Sequence, residues 1–277
     1  MTMSKKNIGL VLSGGGYRCV AQAGALKAFE EYGIYPNIIS GASAGALVGA
    51  FYAANYSPED IKETFKKIKL FNLYRLARRK GGFINVESFY DFLLGYFKED
   101  DFAALSKQLY VTATDLVNAK IRVFHTGDLI RPILASTSFP GILTPVDIKG
   151  TLYSDGGILD NFPVNPIKEQ CDEIYGVYAS PIRKMAVTEF KNSFTVLDRA
   201  FHLRIHQHSV SKFPQCDLVI YPRGLSKYGL FNTNHIDEIF QVGYQTTIQA
   251  LEKRAQRESV VKEKTDISKN VVNTLLT

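Results

Sequence analysis

Asn37-Ile-Ile-Ser-Gly-Ala-Ser-Ala-Gly-Ala-Leu-Val-Gly-Ala-Phe51 decides how this chain folds. Its isoleucine start reads as a buried strand, Gly41-Ala-Ser-Ala-Gly45 as a tight turn, and the alanine-rich remainder, Ala44 to Ala54, as a helix. The same order stands just upstream. Ile8 to Leu12 is a short apolar run and Ser13-Gly-Gly-Gly16 a second glycine loop. Arg18 to Tyr32 then carries Val20, Ala23, Leu26, Ala28 and Phe29 as a helical stripe, with Gly33 as its cap. Strand, glycine loop and helix, twice in succession, is the rhythm of a parallel α/β sheet.

Strand patterns return at Tyr110–Thr114 and Ile121–Phe124, with Asn118-Ala119 as the turn, and again at Leu152–Ser154, Glu173–Tyr178 and Leu218–Tyr221. Helices are expected over Leu129–Ser136, Phe194–Lys212 and Ile236–Arg257. Ser57-Pro-Glu-Asp60 is a helix start, with a hydroxyl cap, a proline and two acids in the first turn. The expected architecture is one α/β domain over residues 7–257, with a largely parallel central sheet, helices on both faces and the active site at the strand carboxyl ends. Residues 58–104 are rich in aromatic and basic side chains and read as a helical, lid-like insertion. Residues 258–277 form a polar C-terminal tail with helical character near Val271-Val-Asn-Thr-Leu-Leu276.

Composition narrows the function classes. Hydrophobic residues make up 45% and charged residues 22% of the 277, ordinary for a folded domain that needs no disulfide staple. Cys19, Cys171 and Cys216 are scattered, with no CxxC pair, which argues against a disulfide framework or a zinc site and fits a reducing compartment. The first apolar run is too short for a signal sequence and no stretch is long enough to span a bilayer, so a cytoplasmic protein, peripheral to the inner face of a membrane, is expected. The net charge of +6 comes with no zinc-finger, helix-turn-helix or RNA-binding pattern, and no nucleic-acid partner is expected.

Gly41-Ala42-Ser43-Ala44-Gly45 fits a nucleophile elbow, G-x-S-x-G, which needs small neighbours on both sides of a serine held on a strained strand-to-helix turn. The turn places the hydroxyl at a helix N-terminus, where free amides favour developing negative charge. The bland reading is a structural turn. Gly14, Gly15 and Gly16 remove side chains from a loop whose amides can converge on one anion, an oxyanion hole beside such a serine. Arg18 either fixes that loop or adds positive charge. A dinucleotide cradle is disfavoured, because Cys19 stands at the last glycine position and the second strand runs straight into the serine with no acid at its end. Asp155 in Ser154-Asp-Gly-Gly157 is by itself compatible with a turn acid bonding its own backbone.

Taken together, the Gly-Gly-Gly-x-Arg loop, the serine elbow and Asp155-Gly-Gly-Ile-Leu-Asp-Asn-Phe-Pro-Val164 resemble the patatin-like phospholipases, in order and spacing, over residues 8–180. Ala135-Ser-Thr-Ser-Phe-Pro140 resembles the segment that precedes the aspartate in that family. The resemblance implies a Ser–Asp dyad with Ser43 as nucleophile, Asp155 as base, and amides around Gly14, Gly15 and Gly16 as oxyanion donors. Arg18, Gly41, Gly45, Gly156 and Gly157 would support them. Two positions depart from the family pattern: Cys19 replaces a glycine after the arginine, and Ser13 stands where an acid often precedes the glycines.

The resemblance implies a lipid acyl hydrolase of phospholipase A, lysophospholipase or esterase type, acting through an acyl-enzyme without cofactor or metal. The substrate would be a phospholipid, lysophospholipid or other acyl ester. Acyl transfer or small-ester hydrolysis on the same dyad, and a non-catalytic lipid-binding role, are the alternatives. A Ser-acid-His triad is disfavoured, since His202, His206, His208 and His235 follow Asp155 but none lies in a glycine-flanked loop. His202 and His206, four apart on an expected helix, lack the further ligands a metal would need. Aromatic residues with Arg75, Arg78, Arg79 and Lys80 make the 58–104 insertion a candidate lipid-entry surface.

Overall fold

The first strand, β1 (Ile8–Leu12), already divides the molecule in two. Leu10 and Leu12 enter one hydrophobic cluster and Val11 the other, so the strand is buried on both faces. In this computed structural model, which describes residues 6–68 and 89–275, β1 lies at the centre of the sheet. Beside it run β2 (Ile38–Ala42), β3 (Gln108–Asp115), β7 (Glu173–Val177) and β8 (Leu218–Ile220), parallel in the order β3-β2-β1-β7-β8.

The antiparallel strands gather around β3. β4 (Lys120–Phe124) pairs Val111–Asp115 of β3, and β6 (Thr151–Asp155) pairs Ala113–Asp115. β2 pairs Gln108–Thr112. A strand has two edges, and β4 overlaps both other partners, so β2 and β6 share the edge opposite β4 and meet end to end. β2 stops with Ala42 beside Thr112, and β6 stops with Asp155 beside Ala113. A three-residue strand, β5 (Val146–Ile148), completes a hairpin with β6 through Lys149 and Gly150, both with positive φ.

One face carries the long helices α1 (Val20–Glu31), α2 (Ala44–Ala53), α3 (Pro58–Lys67), α5 (Ile130–Thr137) and α8 (Ile236–Leu275). Ser57 caps α3 through Asp60 N, as its sequence predicts. The crossing of α1 and α8 is made by Gly24 and Gly243, where a β-carbon would strike the carbonyls of Phe240 and Ala21. The other face is covered by Phe162, Val164 and Ile167 behind the short α6 (Gly157–Asp160), and by Phe213. α7 (Ser193–Val210) crosses near α6, and the buried pair Lys212 Nζ–Asp160 Oδ1, 2.5 Å apart, ties its end down. Among the described residues, no helix is long and apolar enough to cross a membrane.

Two elements differ from expectation in extent. The helix expected to stop at Arg257 runs on to Leu275, and the segment before α1, expected as helix from Arg18, starts as a 3-10 turn over Gly16–Cys19. Of the 58–104 insertion, α3, α4 (Tyr90–Leu94) and neighbouring aromatics pack onto the core, with Phe97 stacked on Phe51 at 5.5 Å. The cluster Arg75, Arg78, Arg79 and Lys80 lies outside the described residues.

Candidate active site

The head-on meeting of β2 and β6 builds the site. Ser43 follows the last residue of β2 with φ 54° and ψ −135°, outside the regions an ordinary residue favours, and is the N-cap of α2. The neighbours make that turn possible. A β-carbon on Gly41 would lie 2.6 Å from Ala46 Cα, and one on Gly45 would lie 2.6 Å from the Leu12 carbonyl oxygen and closer still to that of Ser13. Ser43 Oγ donates to Asp155 Oδ2 at 2.6 Å, while the Ser43 amide donates to Ser136 Oγ at 2.8 Å.

Asp155 is held from several sides. Its Oδ1 accepts the Gly157 amide at 2.7 Å, its amide donates to the Ser138 carbonyl at 3.1 Å, and its carbonyl accepts Thr114 Oγ1 at 2.8 Å. One carboxylate oxygen thus bonds its own turn, as a turn acid does, and the other faces Ser43. Gly156 lets the turn press on the Thr112 carbonyl of β3, and Gly157 stands where a β-carbon would sit 2.6 Å from Asn161 Oδ1. Burial raises the Asp155 carboxyl from 3.8 to about 6, against the opposing effect of the Ser43 hydroxyl and the Gly157 amide.

The glycine loop faces the serine from β1. A β-carbon on Gly14 would lie 2.9 Å from Ser43 Cβ, and one on Gly15 2.9 Å from the Ala179 carbonyl oxygen. Gly16, with φ +55°, packs against the Leu230 carbonyl. The three amides are not equivalent. Gly14 N–H is taken by the Asn161 carbonyl at 3.2 Å, whereas those of Gly15 and Gly16 have no hydrogen-bond acceptor among the described residues. Ser180 Oγ donates to the Gly14 carbonyl at 2.7 Å, and Ser13 Oγ accepts the Ala179 amide at 2.8 Å, fixing the loop to the end of β7. Cys19 is buried and its thiol points to the Ser13 carbonyl at 3.3 Å, so the replaced glycine position has become a tether for the same loop. Arg18 donates from Nε to the Tyr228 carbonyl at 2.7 Å and also lines the cavity onto which Ser43 opens.

Ser43 and Asp155 open onto a cavity of about 350 Å3. Its lining includes the apolar side chains of Leu47, Phe65, Phe92, Leu134, Ile142 and Leu143, and the polar ones of Arg183, Arg199 and His202. Asn161, Ser136 and Ser180 touch the site yet were not singled out from the sequence. Asn161 had a local signal, its place in the Asp155–Val164 segment, and its buried Nδ2 has no hydrogen-bond partner among the described residues. Ser136 had one too, its place in the Ala135–Pro140 segment, whereas Ser180 offers none. His202 Nδ1 lies 2.8 Å from the Asp198 carbonyl and His206 Nδ1 3.0 Å from Tyr178 Oη, and among the described residues no group of three or more His, Cys, Asp or Glu is placed to hold a metal.

The chain resembles known proteins in sequence and in fold. The sequence profile described as patatin-like phospholipase matches residues 10–167. The lysophospholipase NTE1 of Eremothecium gossypii is 29% identical over 274 residues, which cover 94% of this chain and 16% of that protein. The lysophospholipase nte1 of Aspergillus oryzae is 27% identical over 302 residues, covering 98% and 20%. The chain thus spans no more than about a fifth of these relatives' length. The crystal structure of VipD from Legionella pneumophila shares the fold, with a TM-score of 0.54 at 15% identity over 90% of this chain and 67% of that one.

Proposed function

The chain belongs to the patatin-like phospholipase family, a family of lipid ester hydrolases, and from that premise we propose that Ser43 and Asp155 are the nucleophile and base of a two-step acyl hydrolase. The observation that carries the reading is the 2.6 Å hydrogen bond from Ser43 Oγ to Asp155 Oδ2 at the floor of an apolar cavity. Asp155 removes the hydroxyl proton as Oγ bonds the ester carbonyl carbon. The oxyanion is received by the Gly15 and Gly16 amides and the N-terminus of α2. Collapse expels the alcohol, which takes the proton from Asp155. Water then attacks the acyl-enzyme with Asp155 again as base, releasing the fatty acid and restoring Ser43.

The raised carboxyl is what makes an aspartate serviceable here. A base near about 6 is still ionised at neutral pH but takes a proton more readily than one at 3.8. The apolar lining suits an acyl chain, and the substrate class proposed is a phospholipid or lysophospholipid. The protein would meet it as a peripheral protein at the cytoplasmic face of a membrane.

The test is release of p-nitrophenol from short- and medium-chain esters by wild type, Ser43→Ala and Asp155→Asn. Turnover by the wild type that falls about 10^4-fold in Ser43→Ala and strongly in Asp155→Asn is expected. Three folded proteins that behave alike, or a wild type that turns over no ester, would leave a lipid-binding protein in its place.

A further inference from the structure

The two halves of α7 meet different surroundings. From Asp198 and Arg199 onward the helix lines the cavity, with Phe201, His202 and Ile205, and Ser209 is buried. In the first half Phe194 and Leu197 are 75% and 68% exposed. Phe194, Leu197, Phe201 and Ile205 are spaced by three and four residues, so they form one stripe along the helix. The apolar face that lines the cavity therefore continues past its mouth into solvent. Val196 and Leu203 on the same helix, with Val187 and Phe190 just ahead of it, expose further apolar surface, and no α7 side chain belongs to either core cluster. Concentrated exposure of this kind marks an interaction site, since isolated exposed residues would be scattered.

Charge identifies the partner. The segment from Arg183 to Arg204 holds five basic residues, Arg183, Lys184, Lys191, Arg199 and Arg204, against two acids. Glu189 pairs with Arg183, and Asp198 Oδ1 lies 3.3 Å from His202 Nδ1, so one of the two acids is already matched by a basic residue of the segment. A second copy of the chain would cover the apolar side chains but bring like charges together. An anionic lipid surface accommodates both.

We propose that residues 187–204 are a docking surface for an anionic bilayer. Val187, Phe194 and Leu197 enter the headgroup boundary, and Lys184, Lys191 and Arg204 meet lipid phosphates. Docked this way, the cavity mouth rests against the membrane, and a lipid passes along the α7 stripe toward Ser43. The purpose of the surface rests on the hydrolase reading above; its test does not.

That test uses the full chain carrying Ser43→Ala, so that no lipid is consumed, in co-sedimentation with phosphatidylcholine vesicles with and without phosphatidylglycerol. Binding is expected to require phosphatidylglycerol. It should weaken about tenfold or more on Phe194→Ser with Leu197→Ser, and similarly on Lys184→Glu with Lys191→Glu, with far-UV circular dichroism and melting temperature retained. Binding unchanged in both double variants, or no binding before mutation, overturns the proposal. So does an oligomer in ultracentrifugation that Phe194→Ser with Leu197→Ser dissociates, which would make the face a contact between copies. A chain that hydrolyses soluble esters but ignores vesicles loses the docking surface alone. One that binds vesicles through α7 but hydrolyses nothing loses the hydrolase alone.

Discussion

The floor of the cavity and its α7 wall are built on opposite terms. At the floor, β1, β2, α2 and the glycine loop approach so closely that backbone meets backbone, and Gly41 and Gly45 have no room for a β-carbon. On the wall, α7 buries Ser209 and leaves Phe194 and Leu197 in solvent. The floor's residues are dictated by their neighbours within the chain. The wall's residues satisfy little inside the chain, so their character answers to something outside it. Under the proposed mechanism and docking, rigid support lies where a proton would move and an open apolar flank where a substrate would arrive.

The comparison breaks first at Gly45. Gly45→Ala would force a methyl against two backbone carbonyls, which only movement of β1 or α2 can relieve, so a loss of about 3 kcal/mol in chemical denaturation is expected. Ester turnover should fall with it as Ser43 shifts. Wild-type stability in that variant would mean the floor is looser than described.

Asp155→Asn sharpens the contrast in the other direction. Well below 3.8 the carboxyl is protonated in both folded and unfolded chains and costs nothing. As pH rises from 3.8 toward about 6 the unfolded chain ionises first, so stability is lost, and above that the folded state carries the full cost. The asparagine variant should gain up to about 3 kcal/mol at neutral pH, a gain that shrinks to nothing in acid. Melting temperatures across pH would read this, and in the wild type kcat/KM should decline on the acid side with a midpoint near about 6. A pH-independent difference would remove burial as the cause. The smallest effect belongs to the wall: Val196→Ser should change stability by less than about 0.5 kcal/mol.

Much of the floor is legible in sequence because close backbone approach and a strained serine demand small residues at fixed spacing. Ser43, its two flanking glycines and the loop at Gly14–Gly16 all follow from that demand. The Gly14 amide is different, since only the fold shows that Asn161 already occupies it. Ser180 is an ordinary serine, and Ser136 a member of the Ala135–Pro140 segment with no role of its own, until strands distant in sequence bring them to Gly14 and Ser43. β5 is three residues long, too short to show alternation, and the antiparallel direction of β6 depends on which edge of β3 is vacant. The extent of α8 was open to a better reading: no glycine or proline interrupts the chain after Gly243, and Arg254 and Glu258 pair one turn apart at 2.8 Å.

The end-to-end meeting of β2 and β6 makes β3 a ruler. Ser43 is placed by the strand that ends beside Thr112 and Asp155 by the strand that ends beside Ala113, so the gap between the two side chains is gauged by the rise of one shared partner. A single residue inserted between Thr112 and Ala113 would lengthen that gauge by about 3.3 Å, more than a hydrogen bond can span, and turn one side chain to the wrong face.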